Sequence, residues 1–381
     1  MPGCSAMILA ATGEERMRSS RPKPVHLLCG RPMVQYVLDA LGEAAVDRIV
    51  VVVGSGLEQV SKKITEVAAD PRIVFAEHAG AHGPAEAALR GLEAFADDIG
   101  EDDILVLPGN APLLQAETVA DLLVHHRTTG ASATVLAVPV AAGSSFRRIV
   151  EGRDPGSVAA IEPRFGDEPA LEVAALVDTA IGDTAPEGRG DHHDGWLGDG
   201  GVYCFRRSLL APAIRRLRPD PETGLFLLSD AIEVLASAGH RTAAYQVPAT
   251  VDAEPVDDRV QLASAEAAIR QRINLAWMRR GVTMVDPDRT YIDATVRLAP
   301  DVTLFPNTML QGATAVGPGA EIGPDTRLVD CAVGARARVE KAMGREAEIG
   351  DGALVGPFAV LDPGSYIGPE AVTGPFYHVT E

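Results

Sequence analysis

The residues with chemistry in them are few and unevenly spread. Only four lysines occur, Lys23, Lys62, Lys63 and Lys341, against many arginines and alanines, a bias that a GC-rich genome explains and that singles out Lys23, which closely follows the first apolar run. Asp191-His192-His193-Asp194 offers carboxylate and imidazole, both common metal ligands. Consecutive residues cannot easily all face one ion, so a solvated loop is expected there. Cys4, Cys29, Cys204 and Cys331 are scattered without CxxC spacing and read as free thiols, neither a disulfide framework nor a zinc site. A formal net charge of −19 repels phosphate backbones and acidic lipid, and no local basic patch offsets it. Nucleic acid and membrane surfaces are thereby disfavoured as partners, and small molecules are favoured.

Whatever these groups do, they must be held by a soluble globular fold, since 46% of the residues are hydrophobic and 23% charged. At 381 residues two domains are expected. The longest strongly apolar stretch, 49–53, is far short of a membrane span, and the N-terminus lacks a signal pattern, so a cytoplasmic protein is expected. Residues 6–11 form an apolar run ending in the turn-prone Thr12-Gly13, and an amphipathic stretch over 32–41 follows: strand, loop, helix. Further apolar runs at 48–53, 73–75, 104–107 and 133–138 alternate with helical patterns at 85–95 and 116–126. That alternation predicts an α/β, Rossmann-like domain with a mostly parallel sheet covered on both faces. A Gly-, Asp- and Pro-rich stretch over 162–199 reads as a long loop or lid. A strand at 201–205 and a long helix at 263–280 come after it.

From Ile292 the period changes. Ile292, Leu298, Leu304, Leu310, Val316, Ile322 and Leu328 stand at unbroken six-residue spacing, and Ile349, Val355, Leu361 and Ile367 resume it after a disturbed interval. Six residues of α-helix turn through about 600°, or 240° from the start, so this is no helical face. It is the signature of a β-helix of hexapeptide repeats, in which each aliphatic residue is buried against the neighbouring coil. The expected domains are therefore 1–262, a linker helix over 263–283, and a short left-handed β-helix over 284–381.

The motifs in their order resemble the bifunctional N-acetylglucosamine-1-phosphate uridylyltransferase/glucosamine-1-phosphate acetyltransferase family. LAATGEERM (9–17), Pro22-Lys23, His26 and GRPM (30–33) are similar to its LAAGxGTRM, PKxxH and GxPM. LPGNAPLL (107–114) is similar to LxGDxPLL, VDDRVQL (256–262) to VNxRxQL, and GVTMVDPDRTYID (281–293) to the segment leading into that family's β-helix. The similarity runs from about Met7 to Pro375 and covers both expected domains.

The resemblance implies a sugar-1-phosphate oxygen attacking the α-phosphorus of a nucleoside triphosphate, chemistry that needs positioning and positive charge more than covalent help. By motif position Arg16 and Lys23 are the phosphate-facing cations. Leu9, Ala10, Ala11, Gly13, Gly83 and Gly109 fall on the nucleotide-binding segments, and His78 and Ala81 stand where the family reads uracil. Glu162, Asp199 and Ser229 fall on the sugar side, where Arg147 replaces a glycine that would admit the sugar. The family's Mg²⁺ lies between an aspartate and an asparagine, and here those positions hold Asn110 and Asp257. Carboxylate and amide have exchanged places, a hard-oxygen set preserved in kind. A homotrimer is expected, because left-handed β-helices of hexapeptide repeats commonly expose a flat aliphatic face that packs around a threefold axis. The resemblance implies no acetyl transfer, because the chain ends ahead of the family's catalytic histidine motif and Asp362 replaces a substrate-binding arginine.

One departure weakens the nucleotide reading. Thr12 and Glu14 stand at family glycines and Glu15 at its threonine, so two carboxylates lie where a triphosphate would. The sequence thus supports two readings: a Mg²⁺-dependent nucleotidyltransferase using an NTP and a sugar-1-phosphate, or a silent homologue that binds a nucleotide-sugar or partner subunit. A like-charge contact at ~4 Å and an effective dielectric near 20 costs on the order of 4 kcal/mol. Glu14→Gly with Glu15→Thr is accordingly expected to tighten NTP binding by up to about a thousandfold by calorimetry. Unchanged affinity would mean that the two side chains face away from the ligand.

Overall fold

A strand buried on both faces can carry apolar residues at nearly every position, and Cys4–Ala10 (β1) does so, with Ser5 its one polar residue and all seven buried. The computed structural model describes residues 3–11, 15–42, 44–54, 56–67, 70–78, 80, 82–95, 102–140, 146–162, 196–247 and 253–378. Two compact units emerge, Met1–Val25 with Met33–Asp257, and His26–Pro32 with Asp258–Glu381.

In the first unit, β1 lies between Arg48–Val53 (β4) and Asp103–Pro108 (β6), parallel to both, with Ile8 opposite Val51 and Leu107. Ile73–Glu77 (β5) extends the parallel edge beside β4. On the other side of β6 comes Trp196–Arg206 (β10), which is antiparallel to both β6 and Ala133–Val140 (β7); Thr242–Gln246 (β11) closes the order β11-β7-β10-β6-β1-β4-β5. A hairpin of Arg148–Glu151 (β8) and Val158–Glu162 (β9) joins through β10.

Alternate residues of β1 serve opposite cores. Ala6, Ile8 and Ala10 pack with Val34 and Val37 of Met33–Ala40 (α1) and with Val119 and Leu122 of Ala116–Thr129 (α4). Met7 and Leu9 pack with Ala87 and Ala88 of Pro84–Glu93 (α3), Leu210 of Arg207–Ile214 (α5) and Ile232 of Asp230–Ser237 (α6). Gly91 lets α3 lie directly on the sheet, since a Cβ there would come within 2.7 Å of the Met7 sulfur and 2.8 Å of Val52. Leu57–Val67 (α2) follows β4. This is the expected α/β domain. One boundary differs: the stretch read as loop over 162–199 ends early, because β10 starts at Trp196 with its first residues paired to β7, Trp196 opposite Val140. The sequence Gly198-Asp199-Gly200-Gly201 conceals this strand, since its three glycines have no side chain to show a period.

The second unit opens with the hairpin Leu27–Leu28 (β2) and Arg31–Pro32 (β3) and continues at Arg259–Arg279 (α7). The helix starts four residues ahead of 263 because Asp258 caps it: its carboxylate accepts from the backbone of Val260 and Gln261, and the Gln261 side chain returns to the Asp258 N–H. The hairpin is held by Cys29, whose N–H donates to Glu266 Oε2 at 2.8 Å and whose carbonyl accepts from Ala294 at 2.9 Å. Local periodicity could not assign this hairpin to the second unit, because its partners lie more than 200 residues away.

Three parallel ladders then form a left-handed β-helix. The hexad residues Ile292, Leu310 and Leu328 stack in one ladder, Leu304 and Ile322 in another, and Leu298 and Val316 in the third, all buried. The disturbed interval belongs to the same coil. It advances 18 residues from Leu304 to Ile322 but 17 from Ile322 to Val339 and 16 from Leu328 to Gly344, so shortened corners shift the hexad while the ladders run on. Gly344 stands at an aliphatic position where the neighbours leave little space: a Cβ would lie 3.0 Å from Leu328 and 3.3 Å from the Cys331 sulfur. Among the described residues no helix is long and apolar enough to cross a membrane.

Candidate active site

Open α/β sheets bind ligands at the carboxyl ends of their parallel strands, and the candidate residues gather at that edge of the first unit. Leu9 and Ala10 end β1, both buried. The Gly109 N–H donates to the Leu9 carbonyl at 2.8 Å, and a Cβ on Gly109 would come within 3.0 Å of Ala10. A side chain there would press on the backbone of β1, so glycine eases the close approach of the β1 and β6 ends. Ala11 is half-buried, while Thr12, Gly13 and Glu14 lie outside the described residues. Arg16 is exposed on a short 3₁₀ turn, and the structure pairs it with none of the other candidates.

Lys23, Asn110 and Asp257 converge from three distant segments. The Lys23 ammonium, in a buried 3₁₀ turn, lies 2.8 Å from Asp257 Oδ1. The Asn110 amide donates to that same oxygen at 2.9 Å and to the Val256 carbonyl at 3.1 Å, while the Val256 N–H donates back to the Asn110 carbonyl at 2.8 Å. Two acceptors fix the amide orientation, with its nitrogen toward Asp257. Asp257 already draws one cation, the lysine ammonium; carboxylate and amide are ligand types that a hard divalent ion takes, but as placed the amide turns its nitrogen toward Asp257, so an ion held by both requires the amide oxygen to turn in. Among the described residues no cluster of three or more His, Cys, Asp or Glu could hold a metal. Asp191-His192-His193-Asp194 lies outside them.

His78 and Gly83 flank the start of α3. The His78 ring is mostly buried and 3.9 Å from Glu86, which also meets His82 at 3.0 Å; Ala81 lies outside the described residues. Gly83 has φ +106°, and a Cβ would lie 2.7 Å from the Phe226 carbonyl. This close approach joins α3 to the segment leading to Ser229, with Phe226 N–H donating to His82 and Ala85 N–H to Phe226.

Glu162, Asp199 and Ser229 come together around Arg147. Its guanidinium donates through Nη1 to Ser229 Oγ and to Asp230 Oδ1 (3.1 Å), through Nη2 to the Ile161 carbonyl (3.0 Å), and through Nε at 3.5 Å to the Glu162 carbonyl. The Asp199 carboxylate accepts from the Tyr203 hydroxyl at 2.6 Å and from the Gly201 N–H at 2.9 Å. Burial pushes the Asp199 carboxyl above its ordinary value, opposed by those two bonds and by the Arg147 charge. Asp230 and Tyr203 are the members of this group that motif reading missed. Asp230 was legible beside Ser229; Tyr203 was not, because a register shift between Asp199 and Tyr203 brings the two side chains together.

Residues 6–228 match the MobA-like NTP transferase domain family. The Bifunctional protein GlmU of Streptomyces avermitilis is 36% identical over 362 residues, covering 94% of this chain and 70% of that protein. The chain belongs to the GlmU family. The GlmU of Mycobacterium bovis is 34% identical across 99% of this chain and 72% of its own length. A solved CMP:2-keto-3-deoxy-manno-octonic acid synthetase complexed with CTP, at 18% identity and a TM-score of 0.50, covers 71% of this chain and 99% of its own, and shares the fold. Against the GlmU motifs, the novelty at this edge is the carboxylate at 257 beside the buried lysine.

That ion pair is asymmetric, because Lys23 is 4% exposed and Asp257 30%. Asp257→Ala leaves a buried ammonium without its counter-charge and is expected to cost about 3 kcal/mol, the low end for breaking a buried pair. Lys23→Met leaves a carboxylate that water can reach, and is expected to cost less than half as much. Denaturant unfolding of both variants beside wild type checks the order, and the reverse order would mean that the lysine is solvated.

Proposed function

We propose that this chain transfers a nucleotidyl group from an NTP to a sugar-1-phosphate, giving an NDP-sugar and pyrophosphate. The observation that carries the reading is the convergence of Lys23, Asn110 and Asp257 at the strand ends of a GlmU-family sheet. A sugar-phosphate oxygen forms a bond to the α-phosphorus while the bond to the β-phosphate oxygen breaks, and pyrophosphate departs with the electron pair. Lys23 neutralises charge on the phosphates; Arg16, exposed on its turn, meets the same polyanion from the solvent side. Backbone at Leu9, Ala10, Ala11 and Gly13 cradles the nucleotide, with Gly109, His78 and Gly83 lining its base side. Glu162, Asp199 and Ser229 orient the acceptor. Mg²⁺, where bound, would be held by Asp257 and, with its amide oxygen turned in, by Asn110, and would supply charge neutralisation at the phosphates. Such substrates belong in the cytoplasm.

We also read the β-helix as carrying no acetyltransferase, because Asp362 takes an arginine's place and pairs with His378 at 2.9 Å. The outward column Tyr291, Met309, Met343 and Val360, interrupted by Arg327, supports the homotrimer as an apolar strip for subunit packing. Sedimentation at micromolar concentration should give three subunits, and a clean monomer would rule that out.

A second reading has one observation in its favour. Lys23 and Arg147 are each already paired with a carboxylate, Asp257 and Asp230, as in a site that no longer needs a ligand's charge. Pyrophosphate release from a panel of NTPs and sugar-1-phosphates separates the two. Turnover of at least one pair is expected. Asp257→Ala should lower it at least a hundredfold, while Asn110→Asp with Asp257→Asn, which keeps the ligand charge, should retain it. If no NTP is bound by wild type or variant, the silent homologue stands.

A further inference from the structure

An arginine whose guanidinium is spent on four protein acceptors has a cost in side-chain entropy, and this one lies among the residues assigned to the acceptor. Arg147 takes the Ser229 hydroxyl, the Asp230 carboxylate and the carbonyls of Ile161 and Glu162. Each is an atom that could receive a hydrogen bond from a sugar hydroxyl or an amide. The placement is built into the backbone as well: the Arg147 carbonyl accepts from Asp199 N–H at 2.8 Å, and a Cβ on Gly198 would come within 2.7 Å of the Phe146 Cβ, so only glycine lets the 146–147 segment lie against β10. The charge does not invite an acid, because Arg147 acts electrostatically on Asp199 and Asp220 as well as pairing with Asp230, three carboxylates around one cation.

We propose that Arg147 determines the acceptor: by occupying these hydrogen-bond acceptors it turns away N-acetylated hexose 1-phosphates and leaves the site to unsubstituted sugar 1-phosphates. This rests on reading the Glu162, Asp199 and Ser229 cluster as the acceptor side. An acetamido group entering here must displace the guanidinium from an ion pair and from its carbonyl and hydroxyl partners together. A hexose 1-phosphate with a hydroxyl in place of the acetamido group has the same ring but a shorter substituent, and by stopping short of the guanidinium it displaces nothing.

Calorimetry on the full chain tests it with three probes, glucose 1-phosphate, N-acetylglucosamine 1-phosphate and glucuronic acid 1-phosphate, against wild type, Arg147→Gly and Arg147→Lys. Wild type is expected to prefer glucose 1-phosphate. Arg147→Gly should shift the affinity ratio of N-acetylglucosamine 1-phosphate to glucose 1-phosphate at least tenfold toward the N-acetylated sugar. Arg147→Lys, which can keep the Asp230 pair but cannot span the carbonyls, should fall between. Thermal unfolding of each variant shows that it is folded, and the lysine variant carries the test if the glycine one is not. The same ratio in all three proteins overturns the proposal, as does binding of no sugar phosphate by any of them. Tightest binding of the glucuronic acid probe by wild type, lost in Arg147→Gly, also overturns it and assigns Arg147 to gripping a carboxylate. NTP binding is measured separately: its absence removes the nucleotidyltransferase reading, while the acceptor selectivity is decided by the sugar phosphates alone.

Discussion

A buried ammonium needs a counter-charge, and the candidate site is arranged around meeting that need for Lys23. Its nitrogen sits at 2.8 Å from Asp257, the residue at which the first unit ends, so one ion pair fixes an early turn to the last segment of that unit. Asn110, at the end of β6, joins by donating to the same oxygen. Three segments of chain thus share one carboxylate. The exchange of aspartate and asparagine relative to the GlmU motif moves the negative charge from the strand end to the far segment while keeping it within reach of lysine and amide alike.

The same edge is held by glycines chosen for space. Gly109 admits the end of β1, Gly83 admits the Phe226 carbonyl, and Gly198 admits Phe146. A side chain at any of these would separate two elements that carry candidate residues, whether or not a ligand is bound. Two of them, Gly83 and Gly109, fall on motif positions read as nucleotide-binding. The packing requirement and the ligand requirement therefore coincide, and a glycine in a motif is weaker proof of ligand contact than a charged residue in the same place.

Much of the fold was legible because its signals are local. Val50 to Val53 must be a buried strand, and a six-residue aliphatic period admits no helix. Legibility failed where the determining contact is remote or the side chain is missing. Gly344 interrupts the hexad, yet Leu328 and Cys331 fill its place, so the coil continues where the pattern does not. Trp196 starts a strand inside a stretch whose glycines carry no period. Lys23 and Asn110 were marked by type and motif, but nothing in sequence shows that they share an oxygen of Asp257, because the residues are separated by 234 and 147 positions.

The charge pattern carries the argument one step further. A chain of net charge −19 that handles phosphates cannot rely on its overall field and must concentrate positive charge at the site. Here the two most enclosed candidate cations are each given a carboxylate partner, Lys23 with Asp257 and Arg147 with Asp230. Pairing removes the cost of burying a lone charge, but it also lowers the attraction that each cation offers an incoming anion. Arg16 is the exception, exposed and without a carboxylate partner among the described residues. A polyanion approaching Lys23 would have to compete with Asp257 for it. Affinity at such a site depends on how well the ligand replaces an existing partner, so ligands with several closely spaced negative oxygens are favoured over those with one. That preference for polyphosphate over monophosphate follows from the ion pair itself, independently of which base or sugar the ligand carries.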